Sequence, residues 1–173
     1  MTPTMMTQRH CPDNRSWGDC HRAAVATILD LPIKSVPHFA DGGPDGHEFK
    51  RRERDFLALH GLVPIDAVYK GSPEWKGADL ILYVVGDLNP RVPYILIGSD
   101  STGATHSVVC LGDKIVHDPS PEKTGVVAPC ADGWYWITFF GSLNLDRRPR
   151  CGICNSPLAA DGLCTRAACA NAF

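Results

Sequence analysis

The stretch CHRAAVATIL, Cys20–Leu29, constrains the fold more than any other part of the chain. Its small and aliphatic side chains cover most of a helical circumference. A surface helix keeps a polar back; a helix apolar nearly all round belongs inside a core. Asp19 stands where it can cap the first turn, the alanines favour the helix, and Leu31-Pro32 ends it. The first helical residue is a thiol. Cys20 therefore sits where backbone N–H groups have no intrahelical acceptor and where the helix dipole favours negative charge.

After a loop rich in Pro, Gly and Asp, SVPHFADGGPDG, the run EFKRRERDFLALHG predicts a more exposed helix. Phe49, Phe56 and Leu57 form its inner side, Gly61 ends it, and its charges form a solvated face. From Leu80 onward come short apolar runs, LILYVVG, PYILIG, HSVVCL, KIVHD and WYWITFF, separated by Gly, Pro, Asn and Asp. Their Val, Ile and aromatic content predicts strands. Helices first and strands afterwards give an α+β class, with the apolar helix packed on a mostly antiparallel sheet. A chain of 173 residues with 44% hydrophobic and 21% charged side chains suits one main domain. The segment NLDRRPR then leads into a cysteine-rich end, which divides the chain into residues 1–146 and a tail at 147–173.

A net charge of −2 and a pI near 6.4 exclude the overall basic footprint of a nucleic-acid-binding protein. Nucleic acid is left open only for the tail, through Arg147, Arg148 and Arg150. The opening MTPTMMTQRH lacks the apolar core of a secretory signal, and runs such as ILYVV are too short to cross a bilayer. The expectation is a protein with no membrane partner, in the cytoplasm, or in the host cytoplasm if a phage encodes it. Eight cysteines are then expected as reduced thiols rather than as a disulfide scaffold. Four of them, Cys151, Cys154, Cys164 and Cys169, follow the pattern C-x2-C-x9-C-x4-C. Such pairs can bring four thiolates to one tetrahedral zinc, so a small structural zinc-ribbon-like tail is expected.

A free thiol is only about 3% ionised at pH 7, and attack requires the thiolate. Cys20 needs an imidazole partner as well as its helix terminus. Among seven histidines, His10, His38, His47 and His60 lie in turns or at helix ends, whereas His106 stands where the polar loop STGAT feeds the apolar strand SVVCL. The next strand returns to Asp118-Pro119, whose carboxylate can hold the imidazole by its second nitrogen. Parity tests the pairing. With a two-residue Gly112-Asp113 turn and regular strands, His106 shares its face with Ile115 and His117; one extra residue, in the loop or as a bulge, brings Asp118 to that face. Acyl transfer also needs donors for an oxyanion. The Cys20 amide is one candidate, and the Asn14 side chain, six positions upstream, is a second or else a simple turn residue. Cys110, inside a strand, reads as a buried core thiol.

A polar amide six positions before an Asp-Cys pair that opens a buried helix, a distant His before a strand and an Asp-Pro after the next together resemble the papain-like cysteine peptidase superfamily. The likeness is in particular to the leader-peptide-cleaving domains of bacteriocin exporters and to small phage and bacterial proteins of the same layout, and it covers residues 8 to 140. In those peptidases the amide is usually Gln and the helix often continues with Gly-Pro or Gly-Ala; here Asn14 and His21-Arg22 stand in those places. The resemblance implies a papain-like fold with Cys20 as nucleophile, His106 as general base and then acid, and Asp118 as its orienter. It implies a peptide or protein substrate cleaved at a peptide, isopeptide or related amide bond, and no cofactor for the catalytic step. Two other expectations fit the same residues: an acyl or peptidyl transferase on the same triad, and a catalytically silent binding module that uses its tail for nucleic acid or protein.

Overall fold

The apolar stretch forms helix α1, Cys20–Leu29, and the protein encloses it: Ala23, Ala24, Val25 and Ala26 are fully buried. It stops at Asp30, which adopts the left-handed conformation at φ 59° and ψ 39°. The Asp30 and Leu31 amides turn back to the carbonyls of Thr27 and Ala26, closing the last turn in a Schellman-type wrap. The computed structural model describes residues 1–11, 16–43, 45–71, 77–143 and 156. Met1–Gly141 form one compact unit and Ser142–Phe173 a second.

Helix α2, Gly46–Leu59, begins at Asp45, whose carboxylate accepts from the His47 and Glu48 amides. Phe56 and Leu57 are buried and Phe49 packs beside them, as the sequence predicts. The charges do not all lie on a solvated face. Glu53 is fully buried, one turn from Phe49 and Phe56–Leu57 on the same apolar stripe.

Among the described residues the sheet has five strands: β1 (Leu62–Lys70), β2 (Pro93–Ser99), β3 (Thr105–Leu111), β4 (Lys114–His117) and β5 (Trp134–Ser142). Their spatial order is β1-β5-β2-β3-β4, and β2 pairs antiparallel with both β3 and β5. Strands β2 to β5 arise from four of the predicted apolar runs. The fifth run is a correction: LILYVVG belongs to helix α3, Asp79–Leu88. Ile81 and Val85, one turn apart, are buried with Ala78, while Tyr83 and Leu88 face outward. The residues obey a helical period, which a short run rich in β-branched side chains does not reveal. Strand β1 has no counterpart among the predicted runs; Pro64 within it is tolerated because the strand lies at the sheet edge.

The sheet separates two apolar layers. On one face α1 and α2 pack over Ile95 and Val109 with Val36 and Phe39. On the other, α3 packs over Tyr94, Leu96, Val108, Cys110, Tyr135 and Ile137. The class is α+β: the described residues form three α-helices and a five-stranded antiparallel sheet, and the early apolar helix lies on that sheet. Among the described residues no helix is long and apolar enough to cross a membrane.

The outer layer depends on a close approach. A Cβ on Gly86 in α3 would lie 2.5 Å from the Asp113 amide nitrogen and 2.6 Å from the Gly112 carbonyl carbon, both backbone atoms of the β3–β4 turn. Gly86→Ala is therefore expected to push α3 off the turn and to destabilise the fold by about 1–3 kcal/mol, the usual cost of overpacking. Urea unfolding of the variant beside wild type measures it.

Candidate active site

Strands β3 and β4 meet at a two-residue turn, with Leu111 opposite Lys114 and Cys110 opposite Ile115. The register then shifts, so that Val109 faces His117 and Val116 is the extra residue of a β-bulge. This one residue changes the parity of everything beyond it. His106 and Asp118 now share a face, and His106 Nε2 lies 2.7 Å from Asp118 Oδ1. The extra residue that the pairing demands thus sits in β4 and not in the turn.

Asp118 is itself held. Its Oδ1 also accepts from the Ser120 amide at 2.8 Å and its Oδ2 from the Gly125 amide at 2.8 Å. These donors lie in the loop that leaves β4 and returns across β2, where the Ser99 amide donates to Ala128. Gly98, directly opposite His106 in the β2–β3 ladder, permits that crossing: a Cβ there would lie 2.5 Å from Val126 Cγ1 and 2.6 Å from the Ala128 carbonyl oxygen. On the other flank, Asp100 accepts from the Thr102 hydroxyl and from the Thr102 and Ala104 amides, which shapes the loop that delivers His106.

Cys20, half-buried at the start of α1, lies close enough to the His106 ring to raise its pKa. Nε2 is engaged by Asp118, so Nδ1 is the nitrogen left for sulfur. Burial alone would favour a neutral ring. The hydrogen bond and charge of the Cys20 sulfur, followed by those of Asp118, outweigh it and push the His106 pKa up to about 9. Burial raises two of the other described thiols. Cys110 is completely buried and pushed up to about 12 by burial, in keeping with its reading as a core residue, and burial followed by the Asp132 charge raises Cys130.

Asp19 does not cap α1, contrary to expectation; its backbone, at φ −109° and ψ 25°, is outside the extended region that a capping residue uses. Its buried carboxylate instead accepts from the Thr7 amide at 2.8 Å, the Thr7 hydroxyl at 2.7 Å and the Gln8 amide at 2.9 Å. These bonds pin an N-terminal segment beside the thiol, which also bonds Pro119 through Met6 and His117 through Thr4. Gln8 extends its side-chain amide 2.9 Å from the Trp17 carbonyl, near the start of α1. His38 bonds the same carbonyl at 2.9 Å, so it is more than a loop residue.

The sequence reading brought Cys20, His106 and Asp118 forward, and the fold brings them together. Asn14 lies outside the described residues, as do Cys151, Cys154, Cys164 and Cys169. Among the described residues no group of three or more His, Cys, Asp or Glu side chains is arranged to hold a metal.

A second polar cluster, beside the first, was not foreseen. His21 Nε2 lies 2.7 Å from Glu53 Oε1, and Lys50 Nζ lies 2.9 Å from Glu53 Oε2. Burial would raise the Glu53 carboxyl; attraction to His21 and Lys50 overrides it and brings it down to about 2. The available signal was Glu53 itself, a carboxylate on the apolar stripe of α2, which has to be paired if it is buried.

Comparison of the chain with protein-family models, with curated proteins and with solved structures finds no match.

His106 carries a pH prediction. Its pKa rises from an ordinary 6.5 to about 9 in the folded chain, so the protonated ring stabilises the fold fully below pH 6.5 and that contribution is lost as pH rises through about 9. The advantage of wild type over His106→Gln in unfolding free energy is expected to be largest below pH 6.5 and to shrink across that window. Urea unfolding at a series of pH values reads it.

Proposed function

We propose that the protein is a papain-like thiol hydrolase that cleaves a peptide, isopeptide or related amide bond. One observation carries the reading: a half-buried thiol at a helix start stands beside an imidazole that is fixed through Nε2 by an anchored carboxylate. The order along the chain, Cys then His then Asp, with the helix on an antiparallel sheet, supports the papain-like assignment.

The chemistry follows from these groups. The Cys20 thiolate attacks the carbonyl carbon, a C–S bond forms, and the carbonyl oxygen becomes an oxyanion facing the Cys20 N–H at the helix start. The Gln8 side-chain amide, held beside Trp17, is a second candidate donor within the described residues. His106 gives its Nδ1 proton to the leaving nitrogen, the C–N bond breaks, and an acyl-enzyme is left. Water then attacks as the same nitrogen takes its proton, and the thiolate departs. Asp118 holds the ring in place throughout.

A thiol-directed activity probe is expected to label wild type at Cys20 and to leave Cys20→Ala unlabelled. Brief iodoacetamide treatment below pH 7, followed by peptide mapping, should modify Cys20 well ahead of Cys110 and Cys130. His106→Ala is expected to slow labelling by roughly 10²-fold or more. Equal rates at Cys20 and Cys130 in wild type would replace this reading with the silent binding module.

For the tail we propose that Cys151, Cys154, Cys164 and Cys169 hold one structural zinc, since four thiolates and no open position suit that ion. Native mass spectrometry in reducing buffer is expected to show about one zinc that a strong chelator removes. A metal-free native mass would refute the assignment.

A further inference from the structure

We propose that His21 is a positioning residue for the Cys20–His106 pair, held by Glu53 on one side and bonded to Ser107 on the other, so that neighbouring residues of α1 engage neighbouring residues of β3. The proposal rests on the thiol–imidazole reading of the site and adds the part that sets its geometry.

The apolar contact beneath α1 is smooth. Ala24 and Ala26 pack in one cluster with Ile95 and Val109 of the sheet, but small side chains and non-directional hydrophobic contact fix neither the rotation nor the height of a helix. Something directional has to do so, because a misplacement of about 1 Å can cost roughly 10²-fold in rate. His21 supplies it. Its Nε2 is 2.7 Å from Glu53, its Nδ1 is 3.4 Å from the Ser107 hydroxyl, and the rings of Phe39 and Phe49 meet it edge-on at 5.9 and 4.9 Å. The ring donates through Nε2 to the carboxylate; Nδ1 either accepts from the Ser107 hydroxyl or, when protonated, donates to it, and the placement is the same.

Successive side chains of a strand leave opposite faces, so His106 and Ser107 point apart. Cys20 takes the first and His21 the second. The His21–Ser107 bond on one side of the strand and the Cys20–His106 pair on the other restrain both the rotation of α1 and its slide along β3.

The clamp is anchored in turn. Lys50, which shares Glu53 with His21, also lies 2.8 Å from Asp66 on β1, and Asp66 accepts from the Thr138 hydroxyl of β5 at 2.7 Å. The charged groups facing His21 are thus Glu53 directly and, behind it, Lys50 and Asp66. A satisfied buried chain of this kind is rigid.

The test is the pH profile of Cys20 alkylation by iodoacetamide in the full chain, with circular dichroism and thermal melts run beside it. Ser107→Ala removes the strand-side bond with little change in volume, and Glu53→Gln weakens the other; each is expected to slow alkylation below pH 7 by about 10-fold and to move the acidic midpoint upward. Combined with His106→Ala, Ser107→Ala should add less than about 2-fold, because the pair it positions is gone. His21→Gln is expected to behave as Ser107→Ala does where it folds, and the Ser107 variant decides the matter where it does not. Lower melting temperatures with an unmoved Cys20 profile would overturn the positioning role and leave the triad standing. A wild-type Cys20 that alkylates no faster than Cys130 below pH 7 would overturn the triad and the positioning role together.

Discussion

The closeness of α1 to β3 governs the rest of the structure. The alanines on that helix let its backbone lie against Ile95 and Val109, and only a helix seated so low brings its first residue within hydrogen-bonding reach of a side chain at the rim of the strand. Larger residues would lift the helix and part the thiol from the imidazole. Burial of the whole circumference requires α2 and its preceding loop to close over the far side. The same apolar stretch therefore determines the core, the layer order and the location of the chemistry.

How much of this was legible in the chain differs residue by residue. Helix α1 was legible because it is apolar all round, and strands β2 to β5 because Val, Ile and aromatics recur between turn residues. Segment Asp79–Leu88 was not, since β-branched content suggested a strand while Ile81 and Val85 obeyed a helical spacing too short to stand out. Strand β1 was hidden by Pro64 and by a weak alternation that suffices at a sheet edge. His106 and Asp118 were legible only as a conditional pair, because parity left two registers open and no residue type in KIVH marks the bulge at Val116.

Asp19 and Glu53 show where local reasoning fails. An aspartate just before a helix ordinarily caps it, but here Thr7 and Gln8 arrive from upstream and claim the carboxylate. Glu53, set among six other charged residues of its helix, looked like one more solvated group, and its partner His21 lies in another element. Non-local partners leave no spacing to read. Polar residues whose roles depend on them emerge only once the layers are assembled.

The bond between His21 and Ser107 spans 86 positions, and the thiol and its base are equally far apart. A ribosome adding about 5–20 residues per second makes Cys20 several seconds before it makes His106. Through that interval the emerging chain carries the sulfur without the ring that would activate it. The meander β2–β3–β4, in contrast, is local, and His106 can meet Asp118 as soon as that short region is complete. The order of synthesis therefore delivers a quiet thiol first and an oriented base last, and the nascent protein acquires its reactivity only when both ends of the sheet are available to close on α1.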